Sequence, residues 1–70
     1  MKVRYDKETD ATFIQFSSKR PIGGVEIKEG VILHLTDKNR IVALEILDAS
    51  ERVPLQDLFK LEVVKTYHSE

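Results

Sequence analysis

Val3-Arg4-Tyr5 and Thr12-Phe13-Ile14-Gln15-Phe16 are short runs rich in β-branched and aromatic residues, parted by the polar stretch Lys7-Glu8-Thr9-Asp10. Such a pattern predicts a β-hairpin. With Asp6 opposite Ala11, Tyr5 faces Thr12, Val3 faces Ile14 and Met1 faces Phe16, so one register gathers most apolar side chains on one face. Arg4, Phe13 and Gln15 then occupy the reverse face.

Ser17 to Gly24 holds two serines, Pro21 and two adjacent glycines, the chemistry of a loop. Val25-Glu26-Ile27-Lys28 alternates strictly and predicts a third strand, whose register the pattern does not fix, and Glu29-Gly30 supplies a turn. The strongest hairpin signal is Val31 to Thr36 and Ile41 to Leu47 around Asp37-Lys38-Asn39-Arg40, where Asn39 tolerates a left-handed backbone. Pairing Leu35 with Val42, Leu33 with Leu44 and Val31 with Ile46 places their aliphatic side chains on one face. Ile32, His34, Ile41, Ala43, Glu45 and Leu47 fall on the other.

Asp48 or Ser50 is expected to accept hydrogen bonds from the free N–H groups that open a helix. Pro54 is compatible only with a first helical turn, so the expected arrangement is one tight turn and then a helix from near Pro54. Leu55, Leu58, Phe59 and Glu62 form a stripe that turns polar after two turns, with Leu61 beside it. Val63 to Tyr67 reads equally as more helix or as another strand. The fold class is therefore α+β: an antiparallel sheet of four to five strands from two hairpins, with one C-terminal helix packed on one face. Residues 1–70 form a single domain, with a β-meander over 1–47, a turn and helix over 48–62 and a tail over 63–70.

Seventy residues leave room for one small core, which rarely yields more than about 3–5 kcal/mol of net stability. No cysteine is present, so disulfides and the commonest structural zinc sites are excluded and oligomerisation remains as a stabiliser. A net charge of −1, from 11 basic and 12 acidic residues spread along the chain, argues against nucleic-acid binding and anionic lipid. With 33% charged residues and few Asn, Gln and Met, the composition leans towards that of thermophile proteins. No charged-then-apolar leader opens the chain and no apolar run is long enough to span a bilayer, which gives the expectation of a cytoplasmic protein.

Candidate chemistry is sparse. None of Gly23, Gly24 and Gly30 opens a helix, so neither a phosphate loop nor a dinucleotide fingerprint exists. His34 and His68 are the only histidines, and no metal or cofactor is expected. His34 and Glu45 lie diagonally on one face of the second hairpin, within reach of each other, but no nucleophile accompanies them, and Ser17 and Ser18 sit in a loop. Asp6, Asp10, Asp37 and Asp48 stand at turns, where carboxylates hold local backbone N–H groups. Lys19-Arg20 beside Pro21 reads as a solvated loop.

Phe13, Ile32, His34, Ile41, Ala43, Glu45 and Leu47 share the face that a single helix leaves uncovered, and together they form the candidate partner interface. A protein-binding or assembly role therefore ranks above enzymatic chemistry. The expected partner is a second copy or a small partner protein, without nucleic acid or membrane. The alternative is a small ligand-binding protein or enzyme with a site around His34, Glu45 and Tyr5 at a subunit junction.

Val3-Arg4-Tyr5-Asp6, Asp10-Ala11 with Ile14, Glu29-Gly30-Val31-Ile32-Leu33 and Ile41-Val42-Ala43-Leu44-Glu45-Ile46-Leu47-Asp48-Ala49-Ser50 together resemble the domain of unknown function 2283 family, over about Met1 to Arg52. This resemblance implies a small bacterial or archaeal protein without assigned activity, with an antitoxin-like partner as one expected role. It brings no catalytic residues. His34, Phe13 and Asn39 depart from the family's usual Asp, Tyr and Gly.

Overall fold

The computed structural model describes residues 1–66. Five strands are formed: β1 (Lys2–Asp6), β2 (Ala11–Gln15), β3 (Gly23–Lys28), β4 (Val31–Leu35) and β5 (Ile41–Ile46). Two single-turn helices follow, α1 (Ala49–Arg52) and α2 (Leu55–Leu58). All strand pairs are antiparallel in the order β1-β2-β5-β4-β3. The loop after β2 thus carries the chain to the far edge, and β5 returns to the centre of an α+β domain.

The β1–β2 register is the one alternation demands, with Val3 opposite Ile14, Tyr5 opposite Thr12 and Asp6 opposite Ala11. In the second hairpin Val31 pairs with Ile46 and Leu33 with Leu44, but Leu35 lies opposite Ile41 rather than Val42. A bulge there takes up one residue, and on the β2 side the Val42 carbonyl accepts from both Phe16 N (2.7 Å) and Ser17 N (3.2 Å) where β2 ends. A second bulge at Ile27 shifts the β3 register between Glu26 and Lys28.

The β4–β5 turn is organised by Thr36, whose hydroxyl accepts from Lys38 N and Arg40 N, each at 3.2 Å. Asn39 takes the left-handed conformation expected of it, φ 61°. Between β3 and β4, Gly30 has φ 78° and lies directly beneath the Arg52 guanidinium.

The helical region is shorter than the apolar stripe predicts. Asp48 precedes α1 in a left-handed conformation and offers its main-chain oxygen, not its carboxylate, to Glu51 N. Pro54 caps α2, and the helix stops at Leu58 instead of running to Glu62. Its two leucines, Leu55 and Leu58, suffice for one turn, and only Leu58 is buried. Residues 61–66 form neither of the alternatives read for the valine pair; Tyr67 and His68 lie outside the described residues.

The buried apolar core comprises Val42, Ala43, Ile46, Ala49 and Leu58. It is small for the sheet it supports. The chain exposes 5923 Å², where a compact monomer of 8.1 kDa exposes about 4,500 Å².

Candidate functional site

Register and pleat sort the side chains into rows across the sheet. On the face that carries α2, one row reads Val3, Ile14, Leu44, Leu33, Val25, one aliphatic residue from every strand. We call this the front face. Below it runs Tyr5, Thr12, Ile46, Val31. On the back face the rows are Arg4, Phe13, Glu45, Ile32, Glu26 and Lys2, Gln15, Ala43, His34, Gly24.

α2 lies at the β1 end of the front face. Leu58, Phe59 and Leu61 border a hollow with Val3 and Tyr5, and the Phe59 ring meets the Tyr5 ring edge-on at 6.0 Å between centroids. Farther across, Ile14, Leu44 and Leu33 are only half-buried although they sit on the three inner strands, and Val25 and Phe16 are about half-exposed. The one-turn α2 lies on the face expected for the longer helix, and it leaves the β4–β3 end of that face open.

The back face assembles the histidine pair read from the sequence. His34 Nε2 lies 3.0 Å from Glu45 Oε1, the Phe13 ring is 5.3 Å from the His34 ring, and the Arg4 guanidinium carbon stands 5.3 Å above Phe13. The His34 ring leans over Gly24, where a Cβ would sit 3.5 Å from Cε1 and 2.9 Å from Ile32 Cγ2. Arg4, Phe13 and Glu45 also bound an open hollow of about 720 Å³ with Asp6 and Lys7. His34 is not among the residues around it.

The seven candidate interface residues do not act alike. Phe13, Ile32, His34 and Glu45 are half-buried and adjoin one another, Ile41 and Leu47 are exposed near the two ends of β5, and Ala43 is fully buried among its larger neighbours. Charged and polar groups interrupt them in both rows. Tyr5, linked to His34 and Glu45 in the alternative reading, borders the same hollow as Glu45, while its hydroxyl is bonded to Asp10 in a cluster at the β1–β2 turn.

That cluster centres on Asp10, φ 52°. Its carboxylate accepts the Tyr5 hydroxyl (2.7 Å), the Ser50 hydroxyl (2.6 Å) and the Ser50 N–H (3.1 Å), and its carbonyl accepts Ala49 N (2.8 Å). The Ser50 and Tyr5 hydroxyls hold Asp10 below the usual carboxylate range. Its carboxylate in turn raises Tyr5 above the usual phenol range. The Asp10 cluster ties α1 to the β1–β2 turn and so fixes where α2 descends on the sheet. Sequence reading placed Asp10 among local turn carboxylates; its bond to Ser50 spans forty positions and leaves no local signal.

Among the described residues no group of three or more His, Cys, Asp or Glu is placed to hold a metal ion. None of their helices is long and apolar enough to cross a membrane.

These features define a small α+β domain built on a single five-stranded antiparallel sheet with an incompletely covered apolar face. The family described as "Protein of unknown function (DUF2283)" matches residues 2–50, and the chain belongs to that family. It is also similar to a Methanosarcina mazei protein described as "Putative hypoxanthine phosphoribosyltransferase", 39% identical over 54 residues. The match takes in 77% of this chain but 43% of that protein, so the chain spans less than half the length of this relative. No solved structure matches the chain.

Proposed function

We propose that this domain is a self-associating assembly module whose front sheet face is completed by a second copy of the chain. The observation that carries this reading is the row Val3, Ile14, Leu44, Leu33, Val25, aliphatic on all five strands and covered by α2 only at its Val3 end. Apolar residues of an inner strand left partly open lose about 25 cal/mol for every Å² not removed from water, and cover by a second copy recovers it.

This reading uses the face opposite the one that sequence alone favoured. The back-face group Phe13, Ile32, His34, Ile41, Ala43, Glu45 and Leu47 is interrupted by Arg4, Gln15 and Glu26, a mixture suited to solvent. An antitoxin-like role uses the same front face with a different protein as occupant. A phosphoribosyltransferase activity, by the name of the M. mazei relative, rests on a match to less than half of that protein and gains no support from the sheet's side chains. A cytoplasmic location suits a chain without cysteine.

Leu33 and Ile32 are neighbours with side chains on opposite faces, so one pair of variants separates the faces. Light scattering is expected to give a dimer for the unmodified chain and for Ile32→Lys, and a monomer for Leu33→Lys. Val25→Lys, at a site already half-exposed in one copy, guards against misfolding and is expected to weaken the dimer as well. A monomeric unmodified chain at high micromolar concentration overturns the reading, and dissociation by Ile32→Lys alone moves the interface to the back face.

A further inference from the structure

The front face alone is too small for a stable dimer. Five strands spaced about 4.8 Å apart, each rising about 3.3 Å per residue over five or six residues, cover roughly 400 Å² of ground, and α2 already occupies one end. A specific interface removes about 800 Å² of accessible surface from each partner. The missing apolar area lies directly after α2. Phe59 is 65% exposed, Leu61 46%, Val63 77% and Val64 73%, and residues 61–66 form neither helix nor strand. Four large apolar side chains in six consecutive positions, so little covered by their own chain, add several hundred Å².

The position of α2 decides where this stretch goes. A helix is about 10 Å across with its side chains, so α2 stands up from the β1 end of the face and prevents two flat faces from meeting squarely. A twofold arrangement in which each α2 sits over the open β4–β3 end of the other sheet makes the two helices a shared layer between the sheets, and it closes the assembly at two copies. The residues that follow α2 are then carried onto Leu33 and Val25 of the second copy.

We propose, on the basis of the self-association reading above, that Phe59–Val64 of each copy lies across the β4–β3 end of the other copy's front face, over its Leu33 and Val25. The exchange is reciprocal, so the arm is part of the interface and not a free tail.

The chain contains no cysteine, which makes introduced thiols unambiguous. V64C and V25C are prepared separately, mixed and mildly oxidised. The expected product is a disulfide-linked pair containing one of each variant, formed faster than the homotypic pairs of either variant alone. A dimer by light scattering that yields no mixed pair overturns the arm exchange while leaving the assembly reading intact. So does a V64C/V25C double variant that closes only within one chain. A monomeric chain in the same measurement removes the assembly reading itself. As a second readout, V63D/V64D changes side chains that are exposed in a single copy and is expected to weaken the dimer at least tenfold, about 1.4 kcal/mol. An unchanged dissociation constant for that variant also overturns the exchange.

Discussion

Ser50 donates two hydrogen bonds to Asp10 from forty positions away, one from its hydroxyl at 2.6 Å and one from its main chain at 3.1 Å. With the Tyr5 hydroxyl on the same carboxylate, this contact joins the first turn of the protein to its first helix. Asp10 is held below its ordinary value by the Ser50 and Tyr5 hydroxyls. It therefore binds fewer protons when folded than when unfolded, so its contribution is present above the ordinary carboxylate range and is lost as pH falls through the lowered value. Thermal unfolding across the acid range is expected to show a falling Tm for the native chain and a flatter profile for Asp10→Asn. Equal slopes for the two proteins contradict the role assigned to Asp10.

Tyr5 gives the opposite sign. Its hydrogen bond to Asp10 raises it above the ordinary phenol range, so its contribution is present below that range and fades as pH rises through the raised value. Tyr5→Phe is expected to lower Tm at neutral pH and to remove this alkaline loss, read in the same thermal scans.

Thr12 is fully buried on an inner strand, and its hydroxyl has no partner among the described residues. A buried hydroxyl without a partner costs about 1–3 kcal/mol. Thr12→Val is expected to stabilise the fold by about 1 kcal/mol, a rise of roughly 4–8 °C in Tm for a domain of this size, at fixed protein concentration. A fall in Tm contradicts the burial assigned to this side chain.

At Gly30 the backbone is left-handed and a Cβ would lie 2.6 Å from Arg52 Nη2. Gly30→Ala combines a left-handed cost of about 1–2 kcal/mol with displacement of Arg52, whose Nε donates to the Leu47 carbonyl at 2.8 Å. Gly23→Ala is the control, since nothing lies within 4 Å of its Cβ position. Urea unfolding is expected to show a clear loss for the first and almost none for the second.

The His34–Glu45 pair is 22% and 30% exposed, a partly buried pair that water and salt screen only in part. Glu45→Gln is expected to change stability by less than about 1 kcal/mol and to leave the solution mass unchanged. A change in quaternary state on this substitution transfers the interface to the back face.

Strand pairing was legible wherever a one-residue slip scrambles the faces. Val3 opposite Ile14 and Leu33 opposite Leu44 follow from alternation alone, and the His34–Glu45 diagonal follows from their register. The bulges at Val42 and Ile27 were not, because alternation fixes the faces on either side of a bulge and not the position of the extra residue. Nor was the reach of α2: Leu55, Leu58 and Phe59 fit a helix of one turn as well as one of two, and only the position of α2 over Val3 and Tyr5 shows which apolar row stays open. The choice between front and back faces is therefore a tertiary quantity.

Sedimentation equilibrium of the unmodified chain, from low to high micromolar concentration, measures directly whether the chain self-associates, as the open front row requires. The expected result is a mass twice that of the 8.1 kDa chain at the upper end, with a Tm that rises with concentration. A single-chain mass throughout, with a concentration-independent Tm, contradicts it.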